Sequence, residues 1–395
     1  MRILFTNISL TEGTGTETAI LDLAMGLRRR GHTVVCFAPH LGQSAARVRA
    51  TGTPVVNTID AIGEAPDIIH GHHSGPTMVA LARFPGVPAI FVCHDWSSVH
   101  DDPPIHPRIR RYAYVRHVLR ERLVSEKGIP PKQVLFLPNA VDSARLGPPR
   151  TPARRLGTAG VYAHAGAIPF IDELDEGCRA CGITFLGQLL DGVDRAQPEK
   201  TLSRCDVVFA SGRMAIEALV AGCVVVNADR FGIGGLVTSA RFDEFAAANF
   251  AIGALSQPAS GRLVTETLEA YDERDADSVV TRARRDCEVG TVAERLEQVY
   301  RDVLVEAAHQ PTDDGLEAAA FACYLQAHLQ NGALYNGEFA RRRFVPENGD
   351  ELARAIEVLS VDIRELRLEI RYLARTRLSR ALTDGWRAVR NLIRS

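Results

Sequence analysis

The sequence predicts an α/β protein with two doubly wound β/α domains that face a cleft, followed by a C-terminal helical and coiled-coil extension. Three observations support this prediction. Short apolar runs alternate with amphipathic segments up to about residue 300, which is the pattern of a parallel sheet with crossover helices. A Pro-, Gly- and Arg-rich stretch interrupts the pattern at residues 143–153, and a heptad repeat at residues 352–373 follows it.

The composition is that of an ordinary globular enzyme. The 395 residues are 46% hydrophobic and 24% charged, and a formal net charge of −2 argues against a nucleic-acid partner. Cys178 and Cys181 have the spacing of a metal-binding pair, but no second pair completes a site. No apolar run of 18 residues and no signal peptide are apparent, so we expect a cytoplasmic protein.

The first domain is predicted at residues 1–145. A buried strand at residues 2–8 is followed by a glycine-rich turn and by an amphipathic helix that ends near Gly31. This order of strand, turn and helix is the repeating unit of a parallel sheet. The same pattern predicts further strands at residues 33–38, 55–56, 67–70 and 89–93.

The second domain is predicted at residues 150–310, after the linker. Its strand candidates lie at residues 160–162, 184–186, 206–209 and 224–227, with helices between them and a second glycine-rich turn at residues 231–235. Residues 291–308 and 312–335 have helical patterns on either side of Pro311. We therefore assign residues 311–350 to a helical extension and residues 351–395 to an amphipathic helix.

The segment from Leu352 to Leu373 has isoleucine at every a position and leucine at every d position. This arrangement favours a parallel two-stranded coiled coil, so we predict a homodimer through residues 352–373. A helix docked on its own domain is the alternative. Residues 371–395 carry seven arginines and one aspartate beside an apolar face that contains Trp386, which is typical of a helix on an anionic membrane surface. The alternative there is a solvated or docked terminal helix.

Ligands of doubly wound sheets bind at the carboxyl ends of the strands, so the loops at those ends are the candidate binding sites. The first candidate loop contains Gly13, Thr14 and Gly15, where two glycines let the backbone approach a ligand and a helix N-terminus favours an anion. It is not a dinucleotide fingerprint, because the third glycine of G-x-G-x-x-G would fall on Thr18. A plain β–α turn is the alternative.

Histidines follow the next two strands of the first domain. His72 and His73 end one strand, and His94 and Asp95 end the other. Histidine clusters can bind a metal, but no carboxylate partner is apparent beside His72 and His73, so we predict no metal. His94 and Asp95 are interpreted as polar groups that face the cleft, with structural histidines as the alternative.

The last candidate loop opens a helix in the second domain. The turn of Ser211, Gly212 and Arg213 there offers backbone N–H groups to a phosphate, and Arg213 adds a fixed positive charge. Met214 and Ala215 continue the helix after this turn. Glu217 follows one helical turn further, within reach of sugar hydroxyls. Its apolar neighbours argue against an exposed position.

These motifs together resemble glycosyltransferases of the GT-B fold, most closely those of family 4. Residues 213–226, followed by the glycines at 232–235, resemble the donor-site signature of that family. The first glycine-rich loop, the two histidine loops and residues 136–142 before the linker also resemble family motifs. The motifs lie in the family order along both predicted domains.

The resemblance implies two Rossmann-like domains and a nucleotide-sugar-dependent transferase. The nucleotide would bind the second domain, and a glycan, lipid-linked or other acceptor would bind mainly the first. The implied reaction retains configuration, needs no metal or cofactor beyond the nucleoside-diphosphate sugar, and serves surface polysaccharide or glycoconjugate synthesis. With such an acceptor, a peripheral position at the inner face of the cell membrane is expected.

The resemblance also implies roles for the candidate residues. Glu217 would bind the donor ribose, residues 211–215 the diphosphate, and residues 13–15 would close over the phosphates and the sugar. His94 would lie beside the anomeric carbon with Asp95 next to it, and His72 and His73 would lie on the acceptor side.

Two departures from the family pattern leave alternatives open. The position eight residues before Glu217 is Phe209 rather than an acid, and residues 160–166 lack the usual Arg–Lys pair that grips the diphosphate. His164 or Arg213 is predicted to substitute for that pair. The alternatives are a same-fold nucleotide-sugar epimerase and a non-catalytic scaffold dimerised by the coiled coil. An inverting reaction would need a general base, for which His72, His94 and Asp95 are candidates.

Overall fold

The computed structural model of the chain describes residues 1–11, 13–95, 98–164, 166–190, 198–251, 257–327 and 329. Met1–Tyr324 form one compact unit. The predicted coiled coil at residues 352–373 and the basic helix at residues 371–395 lie outside the described residues. In the described part of the chain, no helix is long and apolar enough to cross a membrane.

The first domain is a parallel sheet with crossover helices. Its elements in chain order are β1 (Arg2–Thr6), β2 (Ser9–Leu10), α1 (Gly15–Arg29), β3 (Thr33–Phe37), β4 (His40–Leu41), α2 (Gln43–Ala50), β5 (Val55–Val56), β6 (Ile68–His72), α3 (Ser74–Arg83), β7 (Ala89–Cys93), β8 (Ile109–Tyr114), α4 (His117–Glu121) and β9 (Val134–Phe136). Seven strands pair in the order β5-β3-β1-β6-β7-β8-β9, and β2 pairs with β4. The strand order reverses beside β1, which is where a ligand crevice is expected.

Helix α1 follows its sequence prediction closely. Thr14 is its N-cap, and Gly31 adopts φ +85° just beyond its last turn, a conformation that glycine reaches without strain. Its apolar face, which includes Ile20, Leu23 and Leu27, is buried in the core of the first domain. The helix therefore holds the glycine-rich loop at the carboxyl end of the sheet.

The second domain repeats the architecture on a smaller sheet. Its elements are β10 (Thr158–Val161), α5 (Ile171–Ala180), β11 (Thr184–Gln188), α6 (Pro198–Leu202), β12 (Val207–Ala210), α7 (Gly212–Ala221), β13 (Val224–Asp229), β14 (Gly232–Leu236), α8 (Phe242–Ala247), α9 (Gly261–Glu269) and α10 (Glu273–Asp286). Five strands pair in the order β11-β10-β12-β13-β14, with β14 antiparallel. The order reverses between β10 and β12, the strands that lead into the second set of site loops.

Helix α11 (Val289–His309) packs on the first domain, although it follows the second in sequence. Gly26 of α1 allows this approach, because a Cβ there would lie 2.8 Å from Val289 Cγ2. Tyr300 is fully buried and bonds His70 Nδ1 through its hydroxyl. Residues 314–324 are also helical, and an ion pair of 2.8 Å between Arg108 Nε and Glu317 Oε2 joins this segment to the first domain.

The sequence patterns predicted the central strands of the seven-stranded and the five-stranded sheet, but they missed β8, β9 and β14 of these two sheets. Strand β8 was missed because Arg110 and Arg111 interrupt its apolar pattern, and Arg111 Nη1 is neutralised by Glu306 Oε2 at 2.8 Å, on α11. Strand β9 has only three residues. The glycine-rich turn predicted at residues 231–235 is wrong: most of it is β14, where Gly232 leaves room for the backbone of Gln257.

Candidate functional site

A cavity of about 240 Å³ lies between the two domains, beside the strands where each sheet order reverses. It brings together seven of the predicted site residues, namely Gly13, Gly15, His164, Ser211, Arg213, Met214 and Glu217. The remaining lining residues are Thr18, Arg47, Arg145, Tyr162, Ala163, Ala167 and Leu190. Residues 100 to 200 positions apart thus converge on one space, as the switch-point rule predicts.

The buried carboxylate of Glu17 holds the glycine-rich loop in shape. Its Oε2 accepts hydrogen bonds of 2.6 Å from the Gly13 N–H and from Ser44 Oγ, and its Oε1 accepts one of 3.2 Å from the Thr11 N–H. Gly13 adopts φ +76°, which a residue with a side chain rarely does. Because the Gly13 N–H is bonded to Glu17 and the Glu17 N–H to Thr14 Oγ1, the groups that α1 offers to an anion are the N–H groups of Gly15 and Thr16.

Helix α7 turns its N-terminus toward the same cavity. Ser211 is the N-cap residue, and its side chain makes no capping hydrogen bond. The Gly212 N–H donates to the Phe250 carbonyl at 2.7 Å, so the first-turn N–H groups of Arg213 and Met214 are the ones without an intrahelical acceptor. The positive end of the helix dipole adds to the attraction for an anion there.

An ion cluster joins Arg145, Arg213 and Glu217, which line one wall of the cavity, to Asp22 behind that wall. Asp22 is fully buried and accepts two hydrogen bonds of 2.9 Å from Arg145, and it also pairs with Arg213 Nη2. Arg145 Nη2 and Arg213 Nε each lie 3.3 Å from Glu217 Oε1. The two positive and two negative charges balance, so the charge of Arg213 is neutralised within the cluster.

Glu217 faces the cavity with little exposure to solvent. The residue is 7% exposed, and its Oε2 accepts a hydrogen bond of 2.9 Å from the Tyr162 hydroxyl. Burial and the adjacent carboxylate raise the pKa of Tyr162, so the hydroxyl remains a proton donor. A ligand hydroxyl could take the place of Tyr162 or Arg145 on this carboxylate without removing its other partners.

Three histidines of the first domain form a ring stack with Phe5, and none of them lines the cavity. The rings of Phe5, His70, His72 and His94 stack in that order, with successive centroids 4.4, 4.7 and 4.8 Å apart. His72 Nδ1 lies 2.6 Å from His94 Nε2. Burial lowers the pKa of His70 and of His94 to about 3 and that of His72 well below its usual value, so these rings are neutral at pH 7.

Asp101 joins this group of residues, and no sequence pattern singled it out. Its Oδ1 accepts the backbone N–H of His94 at 3.3 Å, and burial raises its pKa to about 7. His73 adopts φ +63°, and its Nδ1 accepts the Ile8 N–H at 3.2 Å. Asp95 is more exposed, with its carboxylate 3.9 Å from Arg116. The roles predicted for His72, His73, His94 and Asp95 stay predictions.

The stacked histidines are expected to make the fold acid-sensitive. His70 has a pKa of about 3 in the folded protein and about 6.5 when unfolded, and His72 is shifted in the same direction. Between those values the unfolded chain binds more protons, so the free energy of unfolding falls as pH falls, by about 1.4 kcal/mol per pH unit for each histidine. Asp101 acts in the opposite direction. Because its pKa is raised, the folded chain binds up to one more proton at this carboxylate than the unfolded chain does, which offsets the effect of one histidine.

Urea unfolding of the wild type and of His72→Phe between pH 7.5 and 5.5 measures the effect. The variant keeps an aromatic ring in the stack and removes one titrating group. Over this range the free energy of unfolding of the variant should fall by about 1.4 kcal/mol less than that of the wild type, because an unfolded histidine with a pKa of about 6.5 takes up most of its proton there. Identical slopes for the two proteins would mean that His72 is accessible to protons in the folded state.

Seven residues of the cavity lining were not predicted from the sequence, and three of them, Arg47, Arg145 and Tyr162, are charged or bonded to the ion cluster. Tyr162 and Arg145 were missed because their importance lies in their contact with Glu217, 55 and 72 positions away. Arg47 lies in the helix after β4, with no motif around it. In the part of the chain that the structure describes, no three metal-binding side chains come together.

A known protein family matches the sequence of the first domain. Residues 13–145, about a third of the chain, match the model for Glycosyltransferase Family 4. A search of curated proteins finds no match. The motif resemblance to this family is thus confirmed for the first domain.

The fold of the whole described unit is similar to that of solved glycosyltransferases. A glycosyltransferase from Rickettsia africae ESF-5 is 11% identical, with a TM-score of 0.51 over 77% of this chain and 98% of that one. Anabaena HepE in complex with UDP is 14% identical, with a TM-score of 0.52 over 76% and 100%. The structure of HepE with UDP-glucose is also 14% identical, with a TM-score of 0.50 over the same shares.

The fold and the matched domain together define a glycosyltransferase-like protein of the GT-B class. The predicted fold class is confirmed for the two Rossmann-like domains that face a cleft and for the helices that follow them, while the coiled coil of the extension stays a prediction. The identities are low, so these neighbours establish the architecture and leave the substrates to be argued from the site.

Proposed function

We propose that the protein is a glycosyltransferase that moves a sugar from a nucleoside-diphosphate sugar to a glycan or lipid-linked acceptor. The observation that carries the proposal is the cavity between the domains, which gathers both helix N-termini and Glu217 at the two switch points. A nucleoside diphosphate combines an anion with sugar hydroxyls, and this wall offers partners for both. The crystal structure of HepE holds UDP, which makes UDP the first nucleotide to test.

Each part of the donor has a partner in this proposal. The first turns of α1 and α7 bind the diphosphate through backbone N–H groups and stabilise it as it departs. Glu217 accepts hydrogen bonds from the ribose. His94, neutral at pH 7, is assigned to the transferred sugar as a hydrogen-bond partner.

We propose retention of configuration and no metal. Among the described residues that line the cavity, Glu217 is the one carboxylate, and Tyr162 and Arg145 already hold it. A reaction that retains configuration needs no separate carboxylate base to activate the acceptor. Proton NMR of the product reports the anomeric configuration, and inversion would point to Asp101 or His94 as the base.

The location of the protein, its oligomeric state and its contact with the membrane are proposed from the sequence alone. We propose a cytoplasmic homodimer that works on surface polysaccharide or glycoconjugate precursors at the inner face of the membrane. The segments that suggest dimer and membrane contact, residues 352–373 and 371–395, lie outside the described residues.

The proposal predicts a nucleotide-dependent gain in thermal stability. One of UDP, GDP, dTDP, CDP and ADP, supplied at about 100 times its dissociation constant, should stabilise the protein by about 2.7 kcal/mol and raise the midpoint by several degrees. Differential scanning fluorimetry measures this, with NAD and the five nucleosides as controls. Stabilisation by none of the five diphosphates in a folded sample would favour the non-catalytic scaffold instead.

A further inference from the structure

Three arginines line the cavity, and two of them are neutralised. Arg145 and Arg213 are paired with Asp22 and Glu217 inside the balanced ion cluster. A nucleoside diphosphate brings about two to three negative charges into this cavity, and a charge that leaves water there is costly without a partner of opposite sign. The positive charge that balances the ligand must therefore come from outside the ion cluster.

Arg47 is the third arginine of the lining. It belongs to α2 in the first domain and is half-buried, with its Nη1 3.6 Å from the position that a Cβ on Gly13 would occupy. Its guanidinium thus lies over the glycine-rich loop. No ion pair or hydrogen bond joins the Arg47 side chain to any of the described residues. Its charge is available to a ligand in the cavity.

The position of Arg47 is built into the fold by Glu17. The carboxylate of Glu17 binds the Gly13 N–H with the same oxygen that binds Ser44 Oγ, each at 2.6 Å. Ser44 and Arg47 are three residues apart on α2, so they share one face of that helix. Ala45 and Val48 anchor the neighbouring face in the core. A single buried carboxylate therefore holds both the loop and the helix that carries Arg47.

We infer that Arg47 is a phosphate-binding residue of the donor site. It pairs with the diphosphate from the first domain and supplies the positive charge that Arg145 and Arg213 cannot. This role also compensates for the Arg–Lys pair that the second domain lacks, because Arg47 supplies a cation from the first-domain side of the cavity. The inference rests on the proposed function, because it takes the nucleoside diphosphate as the ligand of this cavity.

The test compares binding of a diphosphate with binding of its nucleoside. Isothermal titration calorimetry is carried out on the wild type, Arg47→Gln, Arg47→Lys and Arg49→Gln with UDP, GDP, dTDP, CDP and ADP, each beside its nucleoside. Arg49 lies on the same helix but outside the cavity lining, and its guanidinium bonds the Val55 carbonyl. It is therefore a matched control for charge and for local stability.

Arg47→Gln should lower the affinity for the diphosphate by about tenfold or more, as expected when a charge-assisted hydrogen bond is lost. The affinity for the nucleoside should change less than about twofold, because it carries no phosphate. Arg47→Lys should recover part of the loss, and Arg49→Gln should bind like the wild type. Equal losses for diphosphate and nucleoside would indicate a merely structural role and overturn the inference.

The outcomes also separate this inference from the proposed function. If the wild type binds a nucleoside diphosphate and Arg47→Gln binds it equally well, the inference about Arg47 fails and the proposed function stands. If the wild type binds none of the five diphosphates, both fail.

Discussion

Replacing Glu217 with alanine should lower kcat/KM for sugar transfer by about 100-fold or more. A carboxylate that accepts two ribose hydroxyls contributes roughly 1.5–3 kcal/mol for each charge-assisted hydrogen bond, and every 1.4 kcal/mol is a factor of ten. The residue lies at the cavity with Oε2 on the Tyr162 hydroxyl, so the fold already points the carboxylate into the site. Release of nucleoside diphosphate in the presence of acceptor measures the rate.

The loss must be separated from damage to the ion cluster. Glu217→Gln keeps the shape of the side chain, and Glu266→Ala removes an exposed glutamate that pairs only with Arg262 in the same helix. Glu266→Ala should be as active as the wild type, while Glu217→Gln should lose affinity for the nucleoside as well as for the diphosphate. Full activity in Glu217→Ala would refute the assignment of the donor site.

Replacing Asp22 with asparagine should cost about 3–5 kcal/mol of unfolding free energy, the range for breaking a buried ion pair on one side. Asp22 is fully buried, and two arginines depend on it. Without its charge, Arg145 and Arg213 share only Glu217. Since Asp22 lies on α1 and Arg213 on α7, the change also disturbs the contact between the two domains. Urea unfolding followed by circular dichroism measures the loss.

A surface pair and a double variant provide the controls for Asp22. Asp175→Asn breaks an exposed ion pair with Arg179 and should cost less than about 1 kcal/mol. The double variant Asp22→Asn with Arg145→Gln restores the charge balance, so its loss should be smaller than the sum of the two single losses. Additive losses would show that the two side chains are energetically independent.

Much of the architecture could be predicted from the sequence because it depends on neighbours along the chain. The apolar run of β1 and the helical spacing of α1 are repeated through both domains, and each repeat is complete within about 30 residues. The first turn of α7 follows β12 directly, so Ser211 and Gly212 had to lie at a sheet edge. The position of Glu217, one turn further along α7, then follows from the helical repeat of 3.6 residues.

The charge state of the site could not be predicted in this way. Arg213 was expected to meet a phosphate, but Asp22 neutralises it from 191 positions away. Asp101 contacts His94 because the loop after β7 folds back on itself. Tyr300 contacts His70 because α11 packs on the first domain. No local pattern marks any of these contacts.

The sequence by itself determined two β/α domains, a glycine-rich loop, a helix N-terminus at the second sheet edge and a glutamate one turn beyond it. These features follow from periods of two and 3.6 residues and from the conformational freedom of glycine, all of which act over short separations. Only the tertiary structure decided that Arg145 and Arg213 are neutralised while Arg47 is available. Electrostatic pairing depends on distance in space, and the fold alone sets which distant residues come within a few ångströms.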